Sequence, residues 1–71
     1  MPMDFLRRIE DASFPLAVTD PADIRNAAVL VAAGFVEATL PSEAEGPEVP
    51  GVVLRITPLG RAELARMRNK A

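Results

Sequence analysis

The chain has 71 residues, enough for one small domain, with a net charge of −2 and 49% apolar residues. A domain of this size buries only about 60% of the surface that its unfolded chain exposes, so it needs a well-packed core or an oligomer. The absence of cysteine and histidine excludes disulfides and the usual zinc ligands. The longest apolar run, residues 27–36, is too short for a membrane span of roughly 20 residues. We therefore expect one cytoplasmic domain over residues 1–71, frayed at 1–2 and 69–71, with no cofactor, metal or membrane segment.

The first predicted element is a short amphipathic helix from Met3 to Ala12. A proline biases the residue before it away from the helical region, so we expect Pro15 to follow the end of this helix. A brief edge strand is predicted next, at Leu16 to Val18, because a proline at the start of an edge strand is tolerated. The apolar side of the helix carries Phe5, Leu6, Ile9 and Ala12.

The second helix is predicted from Asp20 to Ala33. Either Thr19 or Asp20 can cap its N-terminus, and Pro21 suits the first helical position because the missing N–H would have no partner there. Gly34 follows as the expected left-handed terminator.

A β-hairpin is predicted next, with strands at 35–40 and 52–56 and a long connector at 41–51. The connector is rich in proline, glycine and glutamate and has no periodicity, so we expect a mobile loop. Glu37 and Arg55 are predicted to pair across the two strands. The side chains expected to face inward are Val36, Ala38, Leu40, Val52, Leu54 and Ile56.

The last predicted helix is capped by Thr57 and begins at Pro58. Gly60 lies one turn before Leu64 on its apolar face, which continues to Met67. A glycine at that position lets the helix lie close against the sheet. The whole pattern predicts an α+β fold.

Two stretches of this chain are similar to parts of a known family. Val29 to Glu37 resembles the end of a recognition helix that runs through its glycine into the first wing strand, and Leu54 to Arg61 resembles the exit of the wing in small bacterial regulators of the MarR and PadR type. The resemblance covers residues 20–66 and implies a small winged-helix-like domain in the order α-β-α-β-β-α, with a long-looped β-hairpin as the wing. A helix-turn-helix needs two successive helices. Only one fits between Val18 and Phe35, which departs from the family's pattern. Either the positioning helix is missing, or the helix from Met3 to Ala12 replaces it with a strand inserted between the two helices.

An enzyme is not expected from this sequence. It has no histidine, cysteine or tyrosine, and no base is available to activate either of its serines, Ser13 and Ser42. Three acids in the connector match no cation-binding loop and are interpreted as solvated charges. They are Glu43, Glu45 and Glu48.

The alternative function is a DNA-binding regulator. Arg and Asn are the residue types that recognise guanine and adenine edges, and the predicted contacts on the second and last helices are Arg25, Asn26, Arg61, Arg66 and Arg68. Asp20, Asp23 and the acidic wing oppose this hypothesis, because attraction to phosphate dominates affinity for DNA.

The favoured function is a non-catalytic binding module that contacts a protein partner or a second copy of itself. The second helix is apolar on nearly all sides after Asn26, and a helix apolar all round is buried all round. One small domain can cover one side of it, and we expect this to be the side of Ile24, Ala27, Leu30 and Val31. The candidate partner interface that remains is Val29, Ala32 and Ala33.

Overall fold

The computed structural model describes residues 2–41 and 49–69. Within these residues the chain forms three helices and one three-stranded antiparallel sheet with strand order β1-β3-β2. The predicted α+β class is therefore confirmed. In chain order the elements are α1 (Pro2–Arg8), β1 (Leu16–Val18), α2 (Pro21–Ala33), β2 (Val36–Thr39), β3 (Gly51–Ile56) and α3 (Pro58–Arg68).

Helix α1 is shorter than predicted. It ends at Arg8 rather than Ala12, because the backbone hydrogen bonds after Ile9 change to the tighter spacing of three residues, as from Ala12 N–H to Ile9 C=O at 3.0 Å. The bond between Phe14 and Pro15 is cis, and β1 follows it.

Helix α2 ends at Ala33 as predicted and begins at Pro21, one residue after the predicted start at Asp20. Asp20 is the N-cap, and its carboxylate accepts a hydrogen bond from Ala22 N–H at 2.9 Å. Pro21 occupies the first helical position. Gly34 ends the helix with φ +83°, a left-handed conformation that costs glycine little because it has no Cβ.

The inward face of β3 differs from the prediction. Arg55 pairs with Glu37, but the next pair joins Val53 with Ala38, so Leu54 is an extra residue that forms a β-bulge. The bulge breaks the simple alternation of side chains. Val53 is fully buried and Leu54 is 47% exposed, so the prediction that Leu54 faces inward is wrong. Ile56 is buried as predicted.

The core fills the space between one face of the sheet and helices α1 and α2. Helix α3 adds one buried leucine from the side. The buried apolar side chains are Phe5, Leu6, Ile9, Val18, Ala27, Leu30, Val36, Val53, Ile56 and Leu64.

Helix α3 joins the domain through a close contact at its first turn. The Thr57 hydroxyl accepts a hydrogen bond from Gly60 N–H at 3.0 Å and donates one to the Gly34 carbonyl at 2.6 Å. The Thr57 N–H also donates to the Phe35 carbonyl at 3.0 Å. A Cβ placed on Gly60 would lie 2.1 Å from that same carbonyl oxygen, so only glycine fits. A close approach at Gly60 is confirmed, but its nearest neighbour is the backbone between α2 and β2, and the side chain of Ile56 on the sheet comes second at 2.7 Å.

Candidate interaction surface

Helix α2 is covered on one side only. It packs against α1 and β2 and buries just Ala27 and Leu30, with Ile24 half-buried. Val31 was predicted to be inward, but it is 38% exposed. Val31 lies on the same side of the helix as Ala27 and the half-buried Ile24, so the cover over that side is incomplete toward the C-terminal end of α2.

The predicted candidate interface on α2 lies on the exposed side. Val29 is 52% exposed, and Ala32 and Ala33 are exposed. Ala28 is exposed beside them, and we call these four residues the α2 surface. A branched side chain among three alanines forms a shallow apolar face on which another helix can approach closely.

Leu59 adds exposed apolar area near the C-terminal end of α2. It belongs to the first turn of α3, is 56% exposed, and has its Cδ2 atom 3.6 Å from the point where a Cβ on Gly34 would lie. Sequence reasoning assigned no role to Leu59. The only signal for such a role in the sequence was that Leu59 directly follows Pro58, before the apolar stripe of α3 begins.

The acids at the start of α2 have structural partners. Asp20 caps the helix, and the Asp23 carboxylate accepts a hydrogen bond from Arg8 on α1 at 2.5 Å. Arg25 is exposed and forms no ion pair within the described part of the chain, while Asn26 is half-buried. Of the two predicted base-contacting residues on this helix, Arg25 is the accessible one.

The arginines of α3 are paired within the chain. The Arg61 guanidinium donates to the Glu10 carbonyl at 2.8 Å, and Arg68 forms an ion pair with the Glu10 carboxylate. Arg66 donates to Glu63 on its own helix, which raises the pKa of Arg66. The structure therefore does not bring Arg61, Arg66 and Arg68 into one unpaired basic surface.

The hairpin carries the predicted cross-strand pair. The Arg55 guanidinium donates to the Glu37 carboxylate at 2.7 Å, and this hydrogen bond, with the charge of Arg55, lowers the pKa of Glu37 below its ordinary value of 4.5. The three acids predicted to make the wing negative, Glu43, Glu45 and Glu48, lie outside the described residues.

An open cleft of about 390 Å³ lies between α1, β1 and the start of α2. Its wall includes Phe5, Ile9 and Leu16, and its polar groups include the Arg8–Asp23 pair.

Over residues 2–41 and 49–69, no group of three or more acidic, histidine or cysteine side chains is arranged to hold a metal ion. No helix in the described part of the chain is both long enough and apolar enough to cross a membrane.

No protein-family model, curated protein or solved structure matches the chain.

Proposed function

We propose that this chain is a non-catalytic binding module that contacts a protein partner through the α2 surface. The observation that supports this proposal most directly is the 52% exposure of Val29 beside the exposed Ala28, Ala32 and Ala33, one turn after Arg25. Covering apolar surface stabilises a complex by roughly 25 cal/mol for each Å² removed from water. A partner, whether a different protein or a second copy, gains that free energy over Val29 and the alanines, and Arg25 lies at the N-terminal edge of the contact.

The chemistry of the side chains supports a non-catalytic role. The sequence has no histidine, cysteine or tyrosine, and the acids at the start of α2 are engaged in capping and in an ion pair. The two acids therefore stabilise the fold, and the neighbouring α2 surface is apolar.

The fold that we propose is a winged helix that lacks one helix. The hairpin of β2 and β3 follows α2, β1 pairs with β3 on the far side, and α3 closes the domain. This arrangement supports the resemblance to the wing and closing helix of MarR- and PadR-type regulators. The departure is that α2 is the single helix between β1 and β2, whereas a helix-turn-helix places two helices in succession.

DNA binding is the second candidate function, and Arg25 is the observation in its favour. An exposed arginine that pairs with no acid among the described residues is available to a phosphate or to a guanine edge. The pairing of the α3 arginines with Glu10 and Glu63 weakens this candidate. A gel-shift titration of Arg25→Ala beside the wild-type protein, on duplex DNA at low salt, tests it. Equal or absent retardation of both proteins rules out a contact through Arg25.

The test of the main proposal is a comparison of two charge substitutions. Val29→Glu puts a carboxylate on the α2 surface, and Leu54→Glu puts one at a similarly exposed apolar position on the sheet. Affinity capture from the source cell, with chemical cross-linking, should lose specific partners only for Val29→Glu, with both variants shown to be folded by circular dichroism. If the Val29→Glu variant retains the wild-type partners, the α2 surface is not the binding site.

A further inference from the structure

Strand β1 has one edge that is not paired with the rest of the sheet. It lies at the end of the strand order β1-β3-β2 and pairs only with β3, through Leu16, Ala17 and Val18. In an antiparallel ladder one residue directs both its N–H and its C=O toward the neighbouring strand, and the next residue directs both away from it. At least one residue of β1 therefore directs both groups outward. Within residues 2–41 and 49–69, no other backbone group bonds to them.

The open cleft of about 390 Å³ runs along this edge, because its lining includes the four consecutive residues 16–19. Successive side chains of a strand point to opposite faces of the sheet, so a cleft over one face would touch every second residue. Contact with consecutive residues places the cleft beside the edge itself. The opposite wall carries Phe5, Ile9 and Ala12, so apolar side chains lie next to the outward backbone groups.

We propose that the β1 edge, meaning the outward side of residues 16–19 together with its cleft, binds an extended peptide segment of another protein. The segment adds to β1 as a fourth, antiparallel strand and places an apolar side chain in the cleft. Antiparallel pairing is the geometry of the whole sheet and is slightly more stable per residue than parallel pairing. In this mode of recognition, backbone hydrogen bonds give affinity and side-chain pockets give specificity. The site goes beyond the proposed function, because it is a different surface from the α2 surface.

A single extended segment fits this edge better than a second copy of the chain does. Two copies joined antiparallel through their β1 strands would be related by a two-fold axis perpendicular to the joined sheet. Both α1 helices would then lie on the same face of that sheet. Because α1 already forms one wall of the cleft, the second α1 would meet it there, whereas a peptide brings no helix.

The charges of the cleft favour a basic residue at one end of the peptide. The charged residues in its lining are Arg8, Asp20 and Asp23, which sum to −1. Arg8 pairs with Asp23. The exposed Asp20 carboxylate accepts a hydrogen bond from Ala22 N–H of its own helix and has further acceptor positions. Asp20 lies just beyond the C-terminal end of β1, so it is next to the N-terminal part of an antiparallel peptide, where a lysine or arginine is favoured.

The length of the edge sets the strength of binding. Strand β1 has three residues, and Pro15 before it has no N–H to donate. A peptide therefore gains only a few backbone hydrogen bonds. We expect a weak complex with a dissociation constant on the order of 100 µM.

An NMR titration of the full chain is the first measurement. The probe is a heptapeptide that begins with lysine and continues with alternating valine and threonine, acetylated and amidated at its ends. Amide signals of residues 16–19 should shift and exchange more slowly with solvent, while those of β2, the other edge of the sheet, should stay unchanged. No shift at residues 16–19 with about 2 mM peptide, or equal shifts at both edges, overturns the proposal.

Backbone methylation of the probe tests for strand pairing. Two peptides are methylated on alternate nitrogens, one on the odd positions and one on the even positions. Because alternate N–H groups of a strand face opposite sides, only one set faces β1. One methylated peptide should lose binding and the other should retain it. If both bind, or neither does, the peptide is not held as an added strand and the proposal is overturned.

The basic preference is tested with a second probe in which glutamate replaces lysine. The lysine peptide should bind roughly two- to five-fold more tightly at low salt, the range of an exposed ion pair. Asp20→Asn should reduce this ratio toward one, and the variant stays folded because asparagine caps a helix as well as aspartate does. Equal affinities of the two probes for the wild-type chain overturn the basic preference.

The outcomes are independent of the proposed function. Val29→Glu should bind the lysine peptide as the wild-type chain does, because Val29 is not part of the cleft. A variant that loses captured partners but keeps the peptide supports two separate surfaces. If sedimentation shows a dimer that the lysine peptide dissociates, the occupant of the β1 edge is a second copy and the proposal is overturned.

Discussion

Gly60→Ala is the substitution whose effect the structure determines most sharply. On helix propensity alone it should stabilise the protein by roughly 1 kcal/mol, because alanine is the better helix former. The structure predicts the opposite sign. The new Cβ would lie 2.1 Å from the Phe35 carbonyl oxygen and 2.7 Å from Cγ2 of Ile56. The first of these neighbours is backbone, so no change of rotamer relieves the clash, and α3 must move away.

The cost follows from the contacts that this movement breaks. Overpacking costs about 1–3 kcal/mol, and the hydrogen bond from Thr57 N–H to Phe35 C=O contributes about 1 kcal/mol. After the gain in helix propensity is subtracted, we expect a net loss of about 1–3 kcal/mol. For a domain of this size that lowers the melting temperature by on the order of 5–20 °C.

Thermal and urea unfolding followed by circular dichroism measure this loss. The control is Ala62→Gly at an exposed position of the same helix, which should cost only about 0.5–1 kcal/mol through backbone entropy. If Gly60→Ala unfolds at or above the wild-type temperature, the close contact between α3 and the Phe35 backbone does not exist in solution.

Three further predictions concern the cap, the core and the hairpin. Thr57→Val removes the hydroxyl that bonds Gly60 N–H and Gly34 C=O and should cost about 1–2 kcal/mol, whereas Thr57→Ser should retain most of the stability. Leu30→Ala should cost about 2–5 kcal/mol in urea unfolding, because Leu30 is 1% exposed. Arg55 lowers the pKa of Glu37, so the pair contributes stability above pH 4.5 that is lost as the pH falls through the folded-state pKa. Glu37→Gln should therefore unfold with a shallower pH dependence below pH 4.5, and an unchanged dependence would show that the pair contributes nothing.

The best predicted features are those whose partners are neighbours in sequence. Asp20 and Thr57 bond to N–H groups two and three residues ahead, and Gly34 ends the helix that directly precedes it. Such caps can be predicted from the sequence because the donor, the acceptor and the backbone conformation belong to one short segment. The Glu37–Arg55 pair was also predictable, because both residues lie where the hairpin register is still regular.

The features that the sequence did not predict depend on distant residues. The bulge at Leu54 exists because β2 pairs with β3 in a register that alternation within β3 alone does not reveal. The arginines of α3 look like a basic surface in the sequence, and Glu10, more than 50 residues earlier, is what binds two of them.

The sequence by itself determined the α+β class, the helix starts at Pro21 and Pro58, and the apolar character of α2, because these follow from local capping and composition. The tertiary structure alone decided which side of α2 is covered. That depends on how far α1 and a three-stranded sheet extend around the helix, and they leave Val29 exposed and Val31 partly exposed while burying Leu30 between them. Side-chain periodicity places residues on faces, but only the packing of distant elements determines which face meets water.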